Sequence, residues 1–208
     1  MKVSVMQPNI FMWPGLLKSI VDSDIHIILD TVKASKNSRY NRNIIIDKKG
    51  NCKWLTVPYF KFSRNMEIRE LRLDTTEKVV NSLSSKLKDS YSKDPNFENA
   101  AKVIDIFDKY KEDTSLCEVY RKFLKFLGEI GYKLPQFVWA SEITPNKEGI
   151  KGAAYIDLLL SSVNADAYLC SENTAQYSSP SDYSVKEILR QKFVGNKYGK
   201  YINSRVNE

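Results

Sequence analysis

The order of patterns in the first thirty residues is the strongest constraint on the fold. Val3 to Met6 is a short apolar run that predicts a buried strand, and residues 7–15, QPNIFMWPG, are too rich in Pro and Gly to continue it. Pro14 favours the first turn of a helix, because its missing N–H costs nothing there. Ile25 to Leu29 predicts a second strand. This succession of strand, loop, helix and strand indicates a parallel α/β sheet.

The same rhythm returns in the last third of the chain. Phe137 to Ala140 and Ala167 to Cys170 predict strands, and a helix is predicted between them, from Gly152 to Val163. We therefore predict an α/β protein with a Rossmann-like, mostly parallel sheet and flanking helices. The polar, basic tail predicts only one weak helical stretch, at residues 185–193.

The middle of the chain has different patterns. Apolar runs on both sides of a turn at residues 47–50 predict a β-hairpin. Three amphipathic stretches with helix start signals follow, and we expect them to form an inserted satellite layer of three helices. The third begins with a predicted capping box, Ser115 with Glu118, and its apolar stripe is the strongest in the chain. The predicted organisation is an N-terminal α/β part with the hairpin at 1–74, a helical subdomain at 75–133, and a C-terminal α/β part at 134–208 that completes the same domain.

The scarcity of histidine limits the chemistry that this chain can perform. His26 is the single histidine, and imidazole is the usual general base near neutral pH. An enzyme of this composition is therefore expected to use carboxylates, amines, amides or phenols, and His26 is interpreted as a core or edge residue of its strand. Cys52, Cys117 and Cys170 lack metal-ligand spacing, so we predict reduced, buried thiols and no metal site.

The net charge indicates the kind of partner. The 32 Lys and Arg residues exceed the 25 Asp and Glu residues, which gives a formal charge of +7 and favours an anionic ligand. The helix lysines are interleaved with acids, a pattern that disfavours nucleic acid as the partner. The amino terminus does not resemble a signal peptide and no apolar run is long enough for a membrane span, so a cytoplasmic location is predicted. A homodimer is left open.

Familiar nucleotide-binding fingerprints are absent from the sequence, so candidate site residues come from the predicted topology. In parallel sheets, ligand groups gather at the carboxyl ends of the strands. Polar residues follow the predicted strands at Gln7, Asn9, Asp30, Ser141, Glu142, Ser171 and Asn173. The loop that contains Trp13 and Gly15 precedes a helix, where backbone amides can bind an anion. The alternative is a rigid turn packed by its aromatic side chains.

The tripeptide Asn41-Arg42-Asn43 forms the second candidate region. If it is extended, both asparagines point to one face and Arg42 to the other. Amides can recognise a sugar or a base edge, whereas Arg can bind phosphate or carboxylate in a fork. Lys33 and Lys36 lie upstream and extend a basic patch. The alternative is a solvated turn that leads into an edge strand.

Several short motifs, taken together and in this order, resemble the WbqC-like family. They are Val5-Met6-Gln7-Pro8, Trp13-Pro14-Gly15, Asp30, Asn41-Arg42-Asn43, Trp54-Leu55-Thr56-Val57-Pro58, Ser141-Glu142, and Ala165 with Tyr168. The resemblance extends from Val3 to Tyr177. It implies a role in bacterial O-antigen or other surface-glycan gene clusters, where members are suggested to modify amino sugars by adding an amino-acyl group.

The sequence departs from this family at two places. Members typically read D-D-V-Q-Y where this chain has residues 30–34, so Thr31 and Lys33 replace a carboxylate and an amide. This edge of the site is less acidic, which implies a more anionic substrate or an altered or lost activity. Relatives also usually continue with another strand and a short apolar helix, whereas residues 192–208 of this chain are polar and basic.

The resemblance and the residues together predict a transferase of surface-polysaccharide biosynthesis. It is expected to modify a nucleotide-linked amino sugar by acyl or amino-acyl transfer to an amine, with an unidentified donor. Asp30 or Glu142 is the candidate base. Arg42, with Lys33 or Lys36, is expected to hold the pyrophosphate. The other substrate-binding candidates are Gln7, Asn9, Trp13, Gly15, Asn41, Asn43, Ser141, Ser171 and Asn173.

Two alternatives to catalysis stay open at this point. A non-catalytic nucleotide-sugar-binding or assembly protein of the same pathway would account for the Thr31 and Lys33 replacements. A basic nucleic-acid-binding protein is the third hypothesis, and it rests on the net charge alone.

Overall fold

The computed structural model describes residues 1–36, 38–95, 97–107, 111–144 and 149–192 of the 208-residue chain. The predicted basic tail after residue 192 lies outside these residues. The helices are α1 Pro14–Val21, α2 Glu77–Tyr91, α3 Phe97–Asp105, α4 Leu116–Glu129, α5 Ala140–Ile143 and α6 Gly152–Ser162. The strands are β1 Lys2–Met6, β2 Ile25–Ile28, β3 Arg42–Ile46, β4 Cys52–Thr56, β5 Tyr59–Lys61, β6 Arg72–Thr75, β7 Lys111–Ser115, β8 Gln136–Trp139, β9 Ala167–Ser171 and β10 Glu187–Gln191.

The chain divides into two compact units. Unit 1 comprises Met1–Gln7, Trp13–Thr31 and the described part of Gly131–Val194. Unit 2 comprises Pro8–Met12 and the described part of Val32–Ile130. The N-terminal segment that was predicted as one α/β part therefore contributes to both units, and the β3–β4 hairpin belongs to the unit that contains the inserted helices.

Unit 1 is built on a parallel sheet of five strands in the order β10-β9-β1-β2-β8. All four strand pairs are parallel. The apolar run of β2 is buried throughout, as expected for a strand covered on both faces. Helices α1, α5 and α6 belong to the same unit. The predicted α/β class with a mostly parallel sheet is confirmed.

Unit 2 contains two antiparallel sheets and three of the helices. Strands β3 and β4 form the predicted hairpin, and β5, β6 and β7 form a three-stranded sheet. Helices α2, α3 and α4 occupy the three predicted stretches. The strongest predicted apolar stripe is confirmed in α4, whose residues Leu116, Val119, Tyr120, Leu124 and Leu127 are buried.

The start of α4 differs from the predicted capping box. Ser115 is the N-cap residue, but its side chain makes no capping hydrogen bond. Ser115 also ends strand β7, which the sequence did not predict, and it pairs with Arg72 of β6. The Thr114 hydroxyl next to it bonds to the Thr75 hydroxyl at 2.7 Å. Strand pairing, rather than a local cap, therefore sets the backbone at this helix start.

The predicted helical stretch at residues 185–193 is wrong, because residues Glu187–Gln191 form strand β10. This strand pairs in parallel with the whole of β9, from Glu187 opposite Ala167 to Gln191 opposite Ser171. An unpaired edge of β9 would expose a row of backbone N–H and C=O groups. Pairing them outweighs a weak local preference for helix.

The prediction that all three cysteines are buried is wrong for Cys52. Cys170 is buried and Cys117 is partly buried, but Cys52 is exposed at the start of β4. A two-stranded hairpin has few residues to cover its side chains, which explains this exposure. Among the residues that the structure describes, no helix is both long and apolar enough to cross a membrane.

Candidate functional site

Two predicted site residues of unit 1 meet at the carboxyl ends of neighbouring strands. Asp30 follows β2, and Ser141 lies in the helix that follows β8. The Asp30 side chain is buried and its two oxygens accept hydrogen bonds from the Ser141 N–H at 3.0 Å and from the Ser141 hydroxyl at 2.7 Å. The parallel pairing of β2 with β8 is what makes this contact. Asp30 therefore has a fixed orientation at the end of the sheet.

Three hydroxyl groups form a hydrogen-bonded series that begins at Thr31, the residue after Asp30, and ends at a backbone carbonyl. Thr144 donates to the Ala140 carbonyl at 3.0 Å, so its oxygen must accept from Tyr155, 2.8 Å away. The Tyr155 proton is then used, and Thr31, at 2.7 Å, must donate to Tyr155. The direction of the chain follows because each hydroxyl carries one proton. Thr31, one of the departures from the family pattern, is thus a buried donor. We call Asp30, Thr31, Ser141, Thr144 and Tyr155 the strand-end cluster.

The other strand-end candidates of unit 1 lie nearer to solvent. Gln7 directly follows β1 and is exposed, and Glu142 is exposed in α5. Ser171 ends β9 and is half-buried, with its hydroxyl 3.3 Å from that of Thr174. Asn173 is exposed in the short 3-10 helix that follows β9. Glu142 is therefore the accessible carboxylate of the predicted pair, and Asp30 is the buried one.

Trp13 and Gly15 form a tightly packed turn at the start of α1. A Cβ atom added to Gly15 would lie 1.7 Å from Cζ3 of Trp13, so the indole occupies the space of a side chain. The Leu16 and Leu17 N–H groups donate to the Trp13 carbonyl at 3.0 and 3.2 Å. These two amides at the helix start are thus paired within the turn. This geometry supports the packed-turn alternative.

Unit 2 contains a second group, in which a cation is stacked on an aromatic ring. The Arg42 guanidinium lies 4.6 Å from the centroid of the Trp54 ring, and its Nε donates to the Ser38 carbonyl at 3.2 Å. Arg42 pairs with Thr56 and Ile44 with Trp54 in the hairpin register, which puts Arg42 and Trp54 diagonally on one face. We call Ser38, Arg42 and Trp54 the cation–aromatic cluster.

Tyr59 lies in β5 of the same unit and was not among the predicted site residues. Burial raises the pKa of the Tyr59 phenol, and Tyr40 raises it further, whereas the Arg42 cation lowers it. The phenol therefore stays protonated over the physiological pH range. Its oxygen is buried and has no hydrogen-bond partner in the described structure. The ring packs on Phe62 with a centroid distance of 5.2 Å, which holds it in place.

Three of the four asparagines predicted to bind substrate are bonded to the backbone of unit 2. Asn9 accepts from the Phe11 N–H at 3.1 Å, and Asn41 donates to the Val57 carbonyl at 2.6 Å. Asn43 donates to the Phe11 carbonyl at 2.8 Å and accepts from the Ile44 N–H at 2.8 Å. These amides join the segment Pro8–Met12 and the end of β4 to strand β3. Their observed contacts are structural ones.

The two lysines predicted to extend the basic patch are exposed. Lys33 forms an isolated antiparallel bridge with Glu67 through its backbone, and Lys36 lies in a turn. The sequence analysis placed neither Trp54 nor Tyr59 among the site residues. The signal that could have found Trp54 was its presence in the Trp54–Pro58 motif and its diagonal position to Arg42 in a hairpin.

The single histidine was predicted to be a core or an edge residue of its strand, and it is a core residue of unit 1. His26 is fully buried in β2, with Nδ1 2.7 Å from the Ser4 hydroxyl. Ser4 donates to Ser23 at 3.1 Å, and Ser23 donates to the Ile20 carbonyl at 2.8 Å. The Ser4 proton is therefore used, so His26 must donate from Nδ1, and its unprotonated Nε2 has no partner among the residues that the structure describes. Burial lowers the pKa of His26 to about 3.

Within the described residues, no group of three or more His, Cys, Asp or Glu side chains could hold a metal ion.

The comparisons with known proteins agree with the resemblance found in the sequence. No curated protein and no solved structure shows a significant match to the chain. The model of the WbqC-like protein family matches residues 7–202, which is nearly the whole chain. The chain belongs to the WbqC-like protein family.

Proposed function

We propose that this protein is a cytoplasmic transferase of bacterial surface-polysaccharide biosynthesis. Its substrate is a nucleotide-linked amino sugar, which it modifies by acyl or amino-acyl transfer to an amine. Family membership supports the pathway, because the resemblance implies surface-glycan gene clusters. The observation that carries the reaction type is the buried Asp30 carboxylate, held in one orientation by Ser141 at the carboxyl end of the parallel sheet.

Amine acylation needs a group that accepts a proton. When the amine nitrogen attacks the acyl carbonyl, the new C–N bond forms and the nitrogen must lose a proton as the leaving group departs. A carboxylate has about four lone-pair sites, and Ser141 uses two of those on Asp30. Asp30 therefore keeps the capacity to take this proton. Glu142, one residue after Ser141 and exposed, is the second candidate base.

Binding of the anionic part of the substrate is assigned to Arg42 in unit 2. A guanidinium binds phosphate oxygens through two parallel N–H donors, and a fixed plane lowers the entropy lost on binding. Stacking on the Trp54 ring and the hydrogen bond to the Ser38 carbonyl hold the Arg42 guanidinium in one plane. The exposed Lys33 and Lys36 add positive charge from the same unit.

A coupled test of binding and turnover addresses this proposal. Thermal shift with nucleotide-linked amino sugars, coenzyme A thioesters and amino acids identifies the ligands, because selective binding stabilises the fold by mass action. The ligand pairs found are then incubated with the protein, and acylated product is measured by mass spectrometry. The Asp30→Asn variant should lose about 10²- to 10⁴-fold in turnover, the usual contribution of a positioned base.

The matched variant for the base assignment is Glu142→Gln. Asn at position 30 can still accept from the Ser141 N–H, so the fold should persist, and its urea unfolding curve serves as the check. If folded Asp30→Asn keeps full turnover and Glu142→Gln loses it, Glu142 is the base. Full turnover in both folded variants would refute carboxylate catalysis.

A second candidate function is a non-catalytic nucleotide-sugar-binding protein of the same pathway. Thr31 favours this alternative. It stands where family members have a second carboxylate, and its buried hydroxyl donates to Tyr155. Selective binding of a nucleotide sugar without product, over the full set of donors in the assay, would support this alternative.

A further inference from the structure

The contact between Ser141 and Asp30 joins a half-buried hydroxyl to a buried carboxylate. The Ser141 hydroxyl donates its proton to Oδ2 of Asp30 at 2.7 Å, and the Ser141 N–H donates to Oδ1 at 3.0 Å. Asp30 is only 2% exposed, whereas Ser141 is half-buried. Ser141 is therefore the member of this pair that a substrate can touch.

Ser141 also lies at a strand-to-helix turn. Strand β8 ends at Trp139 and α5 begins at Ala140, so no loop separates the two elements. This turn is at the carboxyl end of the parallel sheet, where α/β proteins bind their ligands. Enzymes of the α/β-hydrolase type present a nucleophilic serine at a strand-to-helix turn. A serine or cysteine nucleophile needs a base within about 2.6 to 3.2 Å, and the distance from Ser141 to Asp30 meets this requirement.

We propose that Ser141 is a nucleophile that takes up the acyl group as an ester, and that Asp30 is its general base. This inference deepens the proposed function and rests on it for the acyl donor and for the acceptor amine. The transfer then has two half-reactions, and the acyl group stays on the protein between them.

In the first half-reaction, the Ser141 oxygen attacks the carbonyl carbon of the acyl donor. A C–O bond to Ser141 forms and the bond to the leaving group breaks. Oδ2 of Asp30 takes the hydroxyl proton and passes it to the leaving group. The hydrogen bond in the free protein already directs this proton at Oδ2. No electron is gained or lost, so the step needs only the acyl donor.

In the second half-reaction, the amine attacks the carbonyl carbon of the ester. The C–N bond forms, the bond to Ser141 breaks, and the amine loses a proton. An esterified Ser141 has no hydroxyl proton to donate, so Oδ2 of Asp30 is free to take the proton of the amine, which then returns to the serine oxygen. The Ser141 N–H is not part of the ester and still orients Asp30 through Oδ1.

Reaction with diisopropyl fluorophosphate, followed by peptide mass spectrometry, tests the nucleophile without knowledge of the substrate. The wild-type protein should carry one phosphoryl group, on Ser141, and Ser141→Ala should carry none. In Asp30→Asn the amide oxygen can accept from the Ser141 N–H, which leaves an NH₂ group facing the hydroxyl, so labelling should slow by about 10²- to 10⁴-fold. p-Nitrophenyl acetate is the acyl probe, and it should leave an acetyl group on Ser141.

Two other serines of unit 1 provide controls. Ser171 ends β9 and is also half-buried, but its hydroxyl lies 3.3 Å from that of Thr174, so it should stay unlabelled. Ser162 is exposed at the end of α6 and donates to the Leu158 carbonyl at 2.8 Å. Ser162→Ala should be labelled on Ser141 at the wild-type rate. Equal labelling of Ser141 and Ser171 would overturn the proposal, because it would show reaction without a carboxylate.

The remaining outcomes distinguish the nucleophile from the proposed function. Acyl transfer in the wild type and in folded Ser141→Ala, without labelling of Ser141, would overturn the ester and leave direct transfer intact. Labelling that depends on Asp30, with no acylated product from any donor and amine, would support the nucleophile and overturn the proposed transfer. An unchanged labelling rate in folded Asp30→Asn would overturn Asp30 as the base of Ser141. Absence of both label and product would overturn both proposals.

Discussion

Replacing His26 with a residue that cannot be protonated should remove a defined part of the acid sensitivity of this protein. In the folded state the imidazole is fully buried, and burial lowers its pKa from 6.5 to about 3. The unfolded chain therefore binds a proton below pH 6.5 that the folded chain does not bind until about pH 3. The stability contribution of neutral His26 is fully present above pH 6.5 and is lost as the pH falls through this window.

The size of the effect follows from the difference between the two pKa values. Each pH unit inside the window changes the free energy of unfolding by about 1.4 kcal/mol. Between pH 7 and pH 4.5 the histidine alone should therefore lower the free energy of unfolding by about 2 to 3 kcal/mol. This is a large fraction of the roughly 5 to 15 kcal/mol that stabilises an ordinary domain.

The pH range of the assay is set by the carboxylates. Lys53 and the backbone of Asn51 hold the pKa of Asp47 below its usual range, and Lys186 and the N-terminal amine do the same for Asp166. Both groups favour the folded state above the unfolded carboxyl pKa, and they lose this contribution as the pH falls below about 4. Urea unfolding at pH 7, 5.5 and 4.5 therefore isolates the histidine.

His26→Asn is the informative variant, since its amide can donate to Ser4 in place of Nδ1. The smaller side chain leaves a cavity, which lowers the free energy of unfolding by the same amount at every pH. The measured quantity is the change in the free energy of unfolding between pH 7 and pH 4.5. It should be about 2 to 3 kcal/mol smaller in His26→Asn than in the wild type.

Ser4→Ala provides the control for this measurement. It removes the hydroxyl that accepts from His26 but leaves the imidazole buried, so the free energy of unfolding should fall while its pH slope persists. Equal slopes in the wild type and in His26→Asn would refute the reasoning. The imidazole resonance, unambiguous in a chain with one histidine, should also stay in the neutral Nδ1–H form at pH 5.

Two further predictions concern packing and the strand-end cluster. Gly15→Ala should displace the Trp13 indole, because the added methyl would lie 1.7 Å from Cζ3. The free energy of unfolding in urea should fall by about 1 to 3 kcal/mol, and the tryptophan emission should change. Unchanged emission and stability would contradict this packing. Thr31→Val should cost about 0.5 to 1.5 kcal/mol, because the hydrogen bond from Thr31 to the buried Tyr155 hydroxyl is lost. Thr31→Ser keeps the hydroxyl and is the control, and equal losses in the two variants would show that methyl packing, not the hydrogen bond, matters at this position.

The first strands illustrate what could be predicted locally. Val3 to Met6 and Ile25 to Leu29 are apolar runs without alternation, which is typical of strands buried on both faces, and Pro14 marks the helix between them. The carboxyl-end rule for parallel sheets then predicted that Asp30 and Ser141 lie at the same edge of the sheet. They are 111 residues apart in sequence, and the Ser141 hydroxyl lies 2.7 Å from a carboxylate oxygen of Asp30.

The same local approach failed where a distant partner supplied the stronger interaction. Residues 185–193 have a weak helical pattern, but pairing with β9 gives every residue of β10 a partner strand. The Ser115 cap signal was overridden by pairing of Ser115 with Arg72. Local propensities of this kind amount to a few tenths of a kcal/mol per residue, so tertiary hydrogen bonds and burial decide such cases.

The sequence by itself determined the α/β class, the mostly parallel sheet and the family. These properties follow from apolar periodicity and from motif order, both of which are local. Only the tertiary structure decided which atoms of the candidate residues are already bonded. Within the described residues, Asn41 and Asn43 donate to backbone carbonyls, Thr31 donates to Tyr155, and the Tyr59 hydroxyl has no partner. A hydrogen bond depends on two atoms meeting within about 3 Å, and the second atom here comes from a distant part of the chain.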